Sequence, residues 1–307
     1  MGIILLYYKY IHIDYPERTV AEQKALCQKL NLKGRILIAH EGINGTLGGP
    51  REAIELYKNF MKNNELFHDI DFKESEGSED HFPKLKVIVK KEIVKFGIDP
   101  MLVNARDSGM YLTPEETHAL LESSPDDLVI LDARNTYESA IGTFKNAIIP
   151  PINTFRELPA YIDTNSELFK DKQVLMFCTG GVRCERATAY LKIKQIAKKV
   201  YHIKGGIHRY TEAFPDGFFR GKNYVFDGRI AQKITDDIKA LCTHCSVPYD
   251  EYSNCINAEC NKQIIVCQEC VTSYHNTCSI ACKELVQGGY VIVRKLPHKS
   301  APPTHTP

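Results

Sequence analysis

The sequence predicts a three-part protein of mixed α+β and α/β class, and three observations carry that reading. Residues 1–95 alternate strand and helix patterns in the order βαββαβ, the ferredoxin-like arrangement of a sheet covered on one face. Residues 110–220 set short apolar runs between helical segments, as a small α/β domain with a buried parallel sheet does. Eight of the eleven cysteines fall between Cys242 and Cys282, inside a linker and cysteine-rich region over 221–290 that a short tail over 291–307 follows. A chain of 307 residues has room for two or three such units.

In the first unit, strands are expected at Ile3–Tyr10, Arg35–Ala39, Gly42–Leu47 and Leu85–Val89, and helices at Glu17–Leu30 and Pro50–Asn63. The first helix shows only an imperfect apolar stripe, which still outranks a strand reading. Gly42, Gly45, Gly48 and Gly49 are expected to supply the tight turn of the central hairpin, and the acidic stretch Glu74–Asp80 to form a solvated loop. The second unit opens at Thr113-Pro114-Glu115-Glu116, a capping box with proline at the first helical position. Asp127–Asp132, Gln173–Phe177 and Lys199–Ile203 are its expected strands, with a helix from about Glu185 to Ile196 and then Gly205-Gly206. Tyr224–Asp227 belongs to the connection into the cysteine-rich region, and the proline-rich end from Lys299 is expected to be disordered.

Hydrophobic content of 43% against 25% charged residues gives enough apolar material for real cores and excludes global disorder. No basic segment precedes the apolar start and Lys9 interrupts it, so a buried first strand is expected rather than a signal peptide. No run approaches the roughly 18 apolar residues of a membrane span. The expectation is a cytoplasmic protein with no membrane association. At a net charge of +1 the whole molecule has no bulk attraction for polyanions, so any nucleic-acid binding must come from local basic patches.

Cys178 directly follows a buried strand and precedes a helix, where open α/β sheets place their ligand sites. The backbone amides of Thr179-Gly180-Gly181-Val182-Arg183 can wrap the sulfur, and the helix start with the nearby Arg183 and Arg186 adds positive potential, which is expected to favour the reactive thiolate. A lone cysteine is more often inert and buried, but strand, six-residue loop and helix coincide here. Cys184, six residues on, either resolves an oxidised or persulfidated Cys178 as a disulfide or packs against the sheet. Asp132 and Arg134 either position the loop or form an internal ion pair. Neither a dinucleotide fingerprint nor a two-histidine, one-carboxylate iron site is present, so no organic cofactor is identified.

The loop from Cys178 to Arg183 resembles that of the rhodanese superfamily, whose nucleophile opens a six-residue loop ending in a basic residue. Asp132-Ala133-Arg134-Asn135-Thr136-Tyr137-Glu138 resembles its D-x-R-x-x-x-E segment, and Gly205-Gly206 its double glycine. Gly142-Thr143-Phe144-Lys145-Asn146-Ala147 departs from the usual G-H-I-P-G-A, and Tyr210 stands near the usual tryptophan, which argues against an ordinary thiosulfate sulfurtransferase. Together with Ala39-His40-Glu41-Gly42-Ile43-Asn44-Gly45-Thr46 and the cysteine-rich end, the chain is similar over nearly its whole length to the bacterial tRNA uridine-34 hydroxylase family. That resemblance implies oxygen-dependent formation of 5-hydroxyuridine at the wobble base, with molecular oxygen as co-substrate, tRNA as partner and Cys178 essential. The rival readings are a sulfurtransferase carrying a persulfide on Cys178 and a zinc-stapled RNA-binding module without catalysis. No obligate protein partner is evident.

Cys242-x2-Cys245, Cys255-x4-Cys260, Cys267-x2-Cys270 and Cys278-x3-Cys282 are the four close pairs that two structural four-thiolate zinc sites need. Spacing does not separate consecutive from cross-braced pairing, and His244 and His275 are reserve ligands. Basic stretches at Lys192, Lys194, Lys198, Lys199, Lys204, His208 and Arg209, and at Arg294, Lys295, His298 and Lys299, are candidate phosphate contacts or solvated faces.

Overall fold

The computed structural model describes residues 2–226 and 230–294, and the chain divides into two compact units, Met1–Asp237 and Ile238–Pro307. Asp227, Lys295, His298, Lys299 and the proline-rich tail lie outside the described residues.

The larger unit begins with β1 (Gly2–Tyr10), α1 (Pro16–Lys29), β2 (Lys33–Ala39), β3 (Gly42–Pro50), α2 (Arg51–Lys62), β4 (Lys73–Gly77) and β5 (Leu85–Val89). The sheet order is β4-β1-β3-β2-β5, antiparallel except for β2 with β5. The expected βαββαβ order is present, but its last strand is β4, inside the stretch expected to be a loop, and β5 is an added edge strand. Lys73-Glu74-Ser75-Glu76-Gly77 has no apolar alternation because it forms the sheet's other edge, paired with β1 through the backbone ladder. Period-two alternation sends Ile3, Leu5, Tyr7, Ile36, Ile38, Ile43 and Leu47 into the core with Ile54, Tyr57 and Met61 of α2. The apolar stripe of α1 is imperfect because Gln23 is buried with its Oε1 accepting from the Tyr57 hydroxyl at 2.6 Å. The hairpin turn is His40-Glu41, so Gly45, Gly48 and Gly49 lie within β3 and not in the turn. Gly45 is required there because a Cβ would fall 2.2 Å from the ring of Tyr7.

A second sheet follows from β6 (Met110–Leu112), α3 (Pro114–Ser123), β7 (Leu128–Asp132), α4 (Thr136–Ser139), β8 (Gly142–Phe144), α5 (Leu158–Thr164), β9 (Gln173–Phe177), α6 (Val182–Lys194), β10 (Lys199–Ile203) and α7 (Gly206–Ala213). The Thr113–Glu116 capping box forms at the start of α3. Strands β6-β10-β9-β7 are all parallel, and Asp132 stands opposite Phe177, so the Asp132–Arg134 turn and the Cys178 loop leave the sheet side by side. The chain returns through β11 (Phe219–Val225), which pairs antiparallel with β8 and with β12 (Ile230–Lys233). The smaller unit holds a hairpin of β13 (Tyr252–Asn254) and β14 (Gln263–Ile265), then α8 (Gln268–Ser273) and α9 (Ile280–Gln287).

Candidate active site and metal centres

Cys178 is fully buried at the end of β9, and its Sγ accepts the backbone N–H of Gly181 at 3.2 Å. The first turn of α7 holds the loop from behind: Ile207 N–H donates to the Cys178 carbonyl at 3.0 Å and His208 N–H to that of Thr179 at 3.1 Å. Gly206 makes this approach possible, with φ of 66° and no room for a Cβ, which would lie 2.5 Å from the Cys178 oxygen. Burial pushes the Cys178 thiol up. The Cys184 thiol bonded to it, the Arg183 charge and the amides of Cys184 and Arg183 outweigh burial and bring it down to about 5. Burial and the bond to Cys178 hold Cys184 well above the ordinary thiol range. The pair is thus a thiolate at Cys178 and a neutral thiol at Cys184.

Arg183 spans the loop to α4, its two Nη atoms donating to Glu138 at 2.6 and 2.7 Å. Asp132 and Arg134 form a separate, fully buried ion pair at 2.7 Å. Asp132 also accepts from Ser139 and Thr143, and Arg134 donates to the Gly142 carbonyl, so this pair ties the end of β7 to β8 and does not line the cavity above the sulfur.

That cavity, of about 770 Å³, lies between the Cys178 loop and the face of the first sheet that α1 and α2 leave uncovered. Leu6, Tyr8, Leu37 and Thr46 of that sheet face Cys178, Gly180 and Val182 across it, with Tyr137 and Phe226 at its side. Arg35, Lys84, Lys86, Lys95 and Arg156 also line it, all exposed and without an ion pair among the described residues. Among the described residues no carboxylate lines it. Of the candidate phosphate contacts from Lys192 to Arg209, Lys192 donates to the Ser108 carbonyl, Lys194 pairs with Asp163, Lys198 with Asp127 and Arg209 with Asp71, while among the described residues His208 alone of that stretch lines the cavity.

Arg186, expected with Arg183 to favour the Cys178 thiolate, instead spends its guanidinium on Glu41 and the Ile98 carbonyl, and the role of Glu185 was not read from the sequence. Arg186 of α6 is fully buried and donates to Glu41 at 2.7 Å, so the Glu41–Gly45 segment anchors the first sheet to α6. Glu185 accepts the hydroxyls of Tyr8 at 3.1 Å and Tyr111 at 2.6 Å. Burial first, then the Cys178 charge, raise its carboxyl to about 7 against the lowering effect of those two hydroxyls. Only the period-two alternation of β1 hinted that Tyr8 faces away from the helices.

In the smaller unit, Cys242, Cys245, Cys267 and Cys270 form one cluster and Cys255, Cys260, Cys278 and Cys282 another, the ligand atoms in each within 4.8 Å of one another. Pairing is therefore cross-braced, the first pair with the third and the second with the fourth. The 3.6 Å separations of Cys245 from Cys267 and of Cys260 from Cys278 match the edge of about 3.8 Å for four sulfurs roughly 2.3 Å from one ion. Backbone amides of Cys267 and Cys278 point at the sulfurs of Cys242 and Cys255 at 3.4 Å, as thiolates demand. Both clusters can hold a metal ion. His244 Nε2 is bonded to the Thr277 carbonyl and joins neither.

A parallel sheet ending in a six-residue cysteine loop, whose backbone amides point at the sulfur, defines a rhodanese-fold protein. Family models agree: a rhodanese-like domain matches residues 113–213, a UPF0176 acylphosphatase like domain residues 2–93, and a rhodanase C-terminal model residues 220–283. The chain is 42% identical to the tRNA uridine(34) hydroxylase of Corynebacterium jeikeium over 275 residues, covering 87% of this chain and 89% of that one. It is 41% identical to the protein of that name from Staphylococcus aureus (strain COL) over 293 residues, covering 94% and 91%. The chain belongs to the tRNA uridine(34) hydroxylase family.

Proposed function

We infer that this protein hydroxylates uridine 34 of tRNA, with Cys178 as the reactive centre, Arg183 and Cys184 as the groups that keep it a thiolate, and molecular oxygen as co-substrate. Beyond family membership, one observation carries the reading: the cavity over Cys178 is walled by aromatic and cationic side chains and, among the described residues, by no carboxylate. A nucleotide in a single-stranded loop needs this combination, since aromatics accept a splayed base and lysine and arginine accept the flanking phosphates. The uracil ring also suits a thiolate. Addition of sulfur at C6 shifts the ring's electron pair toward C5, the carbon that gains oxygen. Asp132 and Arg134 act at one remove, as the brace beside the loop. The cysteine clusters serve as two structural zinc sites, zinc being the ion that closed four-thiolate shells suit.

The test is nucleoside mass spectrometry of tRNA from cells with and without this protein, grown under heavy-isotope oxygen. Hydroxylation and thiolation share a nominal mass, so accurate mass and uptake of the oxygen label separate them. Labelled 5-hydroxyuridine that disappears with the protein is the expected result. A thiolated uridine, or no change in tRNA, would overturn the reading, the first in favour of a persulfide carrier.

A further inference from the structure

The hydroxylation proposed above leaves one proton to be placed, and the residues around Glu185 supply a route for it. Once sulfur is bonded to C6, one atom of molecular oxygen joins C5. The other atom leaves as water with two electrons and two protons from an external two-electron donor, and one further proton from solvent turns the C5 oxygen into a hydroxyl. C5 then carries both hydroxyl and hydrogen, and the product forms when the C5–H bond breaks, its electron pair makes the C5–C6 double bond, and the C6–S pair returns to Cys178. Some group in the cavity must take that proton.

Tyr8 is placed to do so. It lines the cavity with Cys178, and its hydroxyl lies 2.6 Å from where a Cβ on Gly181 would stand, directly over the residue whose amide contacts the Cys178 sulfur. That hydroxyl donates to Glu185, whose other oxygen accepts from Tyr111, a half-exposed residue leading away from the cavity. We propose that Tyr8 takes the C5 proton while passing its own to Glu185, and that Tyr111 connects Glu185 to solvent. This rests on the reading of the reaction as uracil hydroxylation, and it assigns Tyr8 as a catalytic residue and Glu185 as a positioning residue acting through it.

The groups that face Glu185 are Tyr8 and Tyr10 from β1, Tyr111 from β6, Ser108 ahead of it and Cys178 across the loop, while Lys73 sits 5.5 Å over the Tyr8 ring. Burial and the Cys178 charge hold Glu185 near neutrality, so it accepts a proton above about pH 7 and holds one below. Burial keeps the Tyr8 phenol neutral, which makes it a relay and not a base of its own.

The experiment is single-turnover modification of unmodified tRNA by the full chain across pH 5.5 to 9, with wild type, Tyr8→Phe, Glu185→Gln and Tyr111→Phe. Wild type should gain rate through about pH 7. Tyr8→Phe and Glu185→Gln should lose on the order of 100-fold, lose that rise with pH, and accumulate an RNA–protein adduct at Cys178 that survives denaturation. Tyr111→Phe removes a hydrogen bond that lowers Glu185, at a half-exposed site the fold tolerates, and should move the rise to higher pH. Alkylation of Cys178 at its wild-type midpoint shows that the loop is intact in each variant. Wild-type pH profiles in Glu185→Gln and Tyr111→Phe would overturn the relay while leaving the hydroxylase reading standing. If wild type makes no 5-hydroxyuridine, it is the underlying reading that fails.

Discussion

Arg183→Met separates the electrostatic from the structural work of the loop's last residue, because methionine keeps much of the volume and none of the charge. A guanidinium roughly 5 Å from a thiolate at an effective dielectric near 20 is worth about 3 kcal/mol. Glu138, bonded to the same guanidinium, cancels part of it. The Cys184 thiol and the loop amides stay in place, so Cys178 should rise from about 5 by roughly one to two units, at about 1.4 kcal/mol each, and stop short of an ordinary thiol. The rate of alkylation against pH reads this midpoint directly. The same change orphans Glu138, which is fully buried and among the described residues keeps only the Asn135 amide at 3.1 Å and Thr179 at 3.5 Å, at a cost of about 3–5 kcal/mol near neutral pH. An orphaned buried carboxyl has a raised folded-state pKa, so the variant should be relatively more stable at low pH and lose that stability as pH rises through the raised value. Urea unfolding at pH 5 and pH 8 checks the sign. Adding Glu138→Gln removes the unpaired charge and should recover stability while the thiol midpoint stays high. A midpoint still at about 5 in Arg183→Met would refute the account of the thiolate.

Cys178→Ser should abolish modification with an unchanged circular dichroism spectrum, since serine is near in size but does not ionise near neutral pH, and a variant that still turns over would remove Cys178 from the chemistry. Neutralising Arg35, Lys84 and Lys86 should weaken tRNA binding and flatten its salt dependence by roughly 0.7 in log–log slope per lost phosphate contact; an unchanged slope would place the RNA elsewhere. Elemental analysis should find two zinc ions per chain, and Cys267→Ser should lower that number and loosen the smaller unit while Cys178 keeps its reactivity. A chain purified with no metal and with mapped disulfides among these cysteines would refute the metal assignment.

The legible parts of the fold were those in which one local rule decides the outcome. Strand, loop and helix around Cys178, the Thr113 capping box and the four cysteine pairs all follow from residues within a few positions of each other. Strand β4 was not legible because an edge strand of Lys, Glu and Ser carries no apolar signal, and its pairing with β1 runs through the backbone ladder. The glycines of β3 misled for a related reason, since Gly45 answers to Tyr7 of another strand and not to a turn. At the site, Cys178 was visible and Glu138 and Arg186 were named, but what Glu138, Glu185 and Arg186 bond to was not legible. Their partners lie 45, 177 and 145 residues away in the chain, for the contacts to Arg183, Tyr8 and Glu41 respectively.

Interleaved metal clusters set a problem for the newly made chain. Cys255 and Cys260 emerge from the ribosome before Cys267 and Cys270, so for a time the four thiols on hand are the wrong four. Closing a loop from Cys245 to Cys255 rather than to Cys267, 22 residues on, favours the wrong site by about 0.7 kcal/mol of chain entropy. The β13–β14 hairpin works against this trap, because it carries the chain from Cys255 back toward Cys267 and sets each pair beside its proper partner. Metal supplied before that hairpin forms would therefore be captured in the wrong register and released slowly, so the order of hairpin closure and metal loading governs the yield of the finished unit.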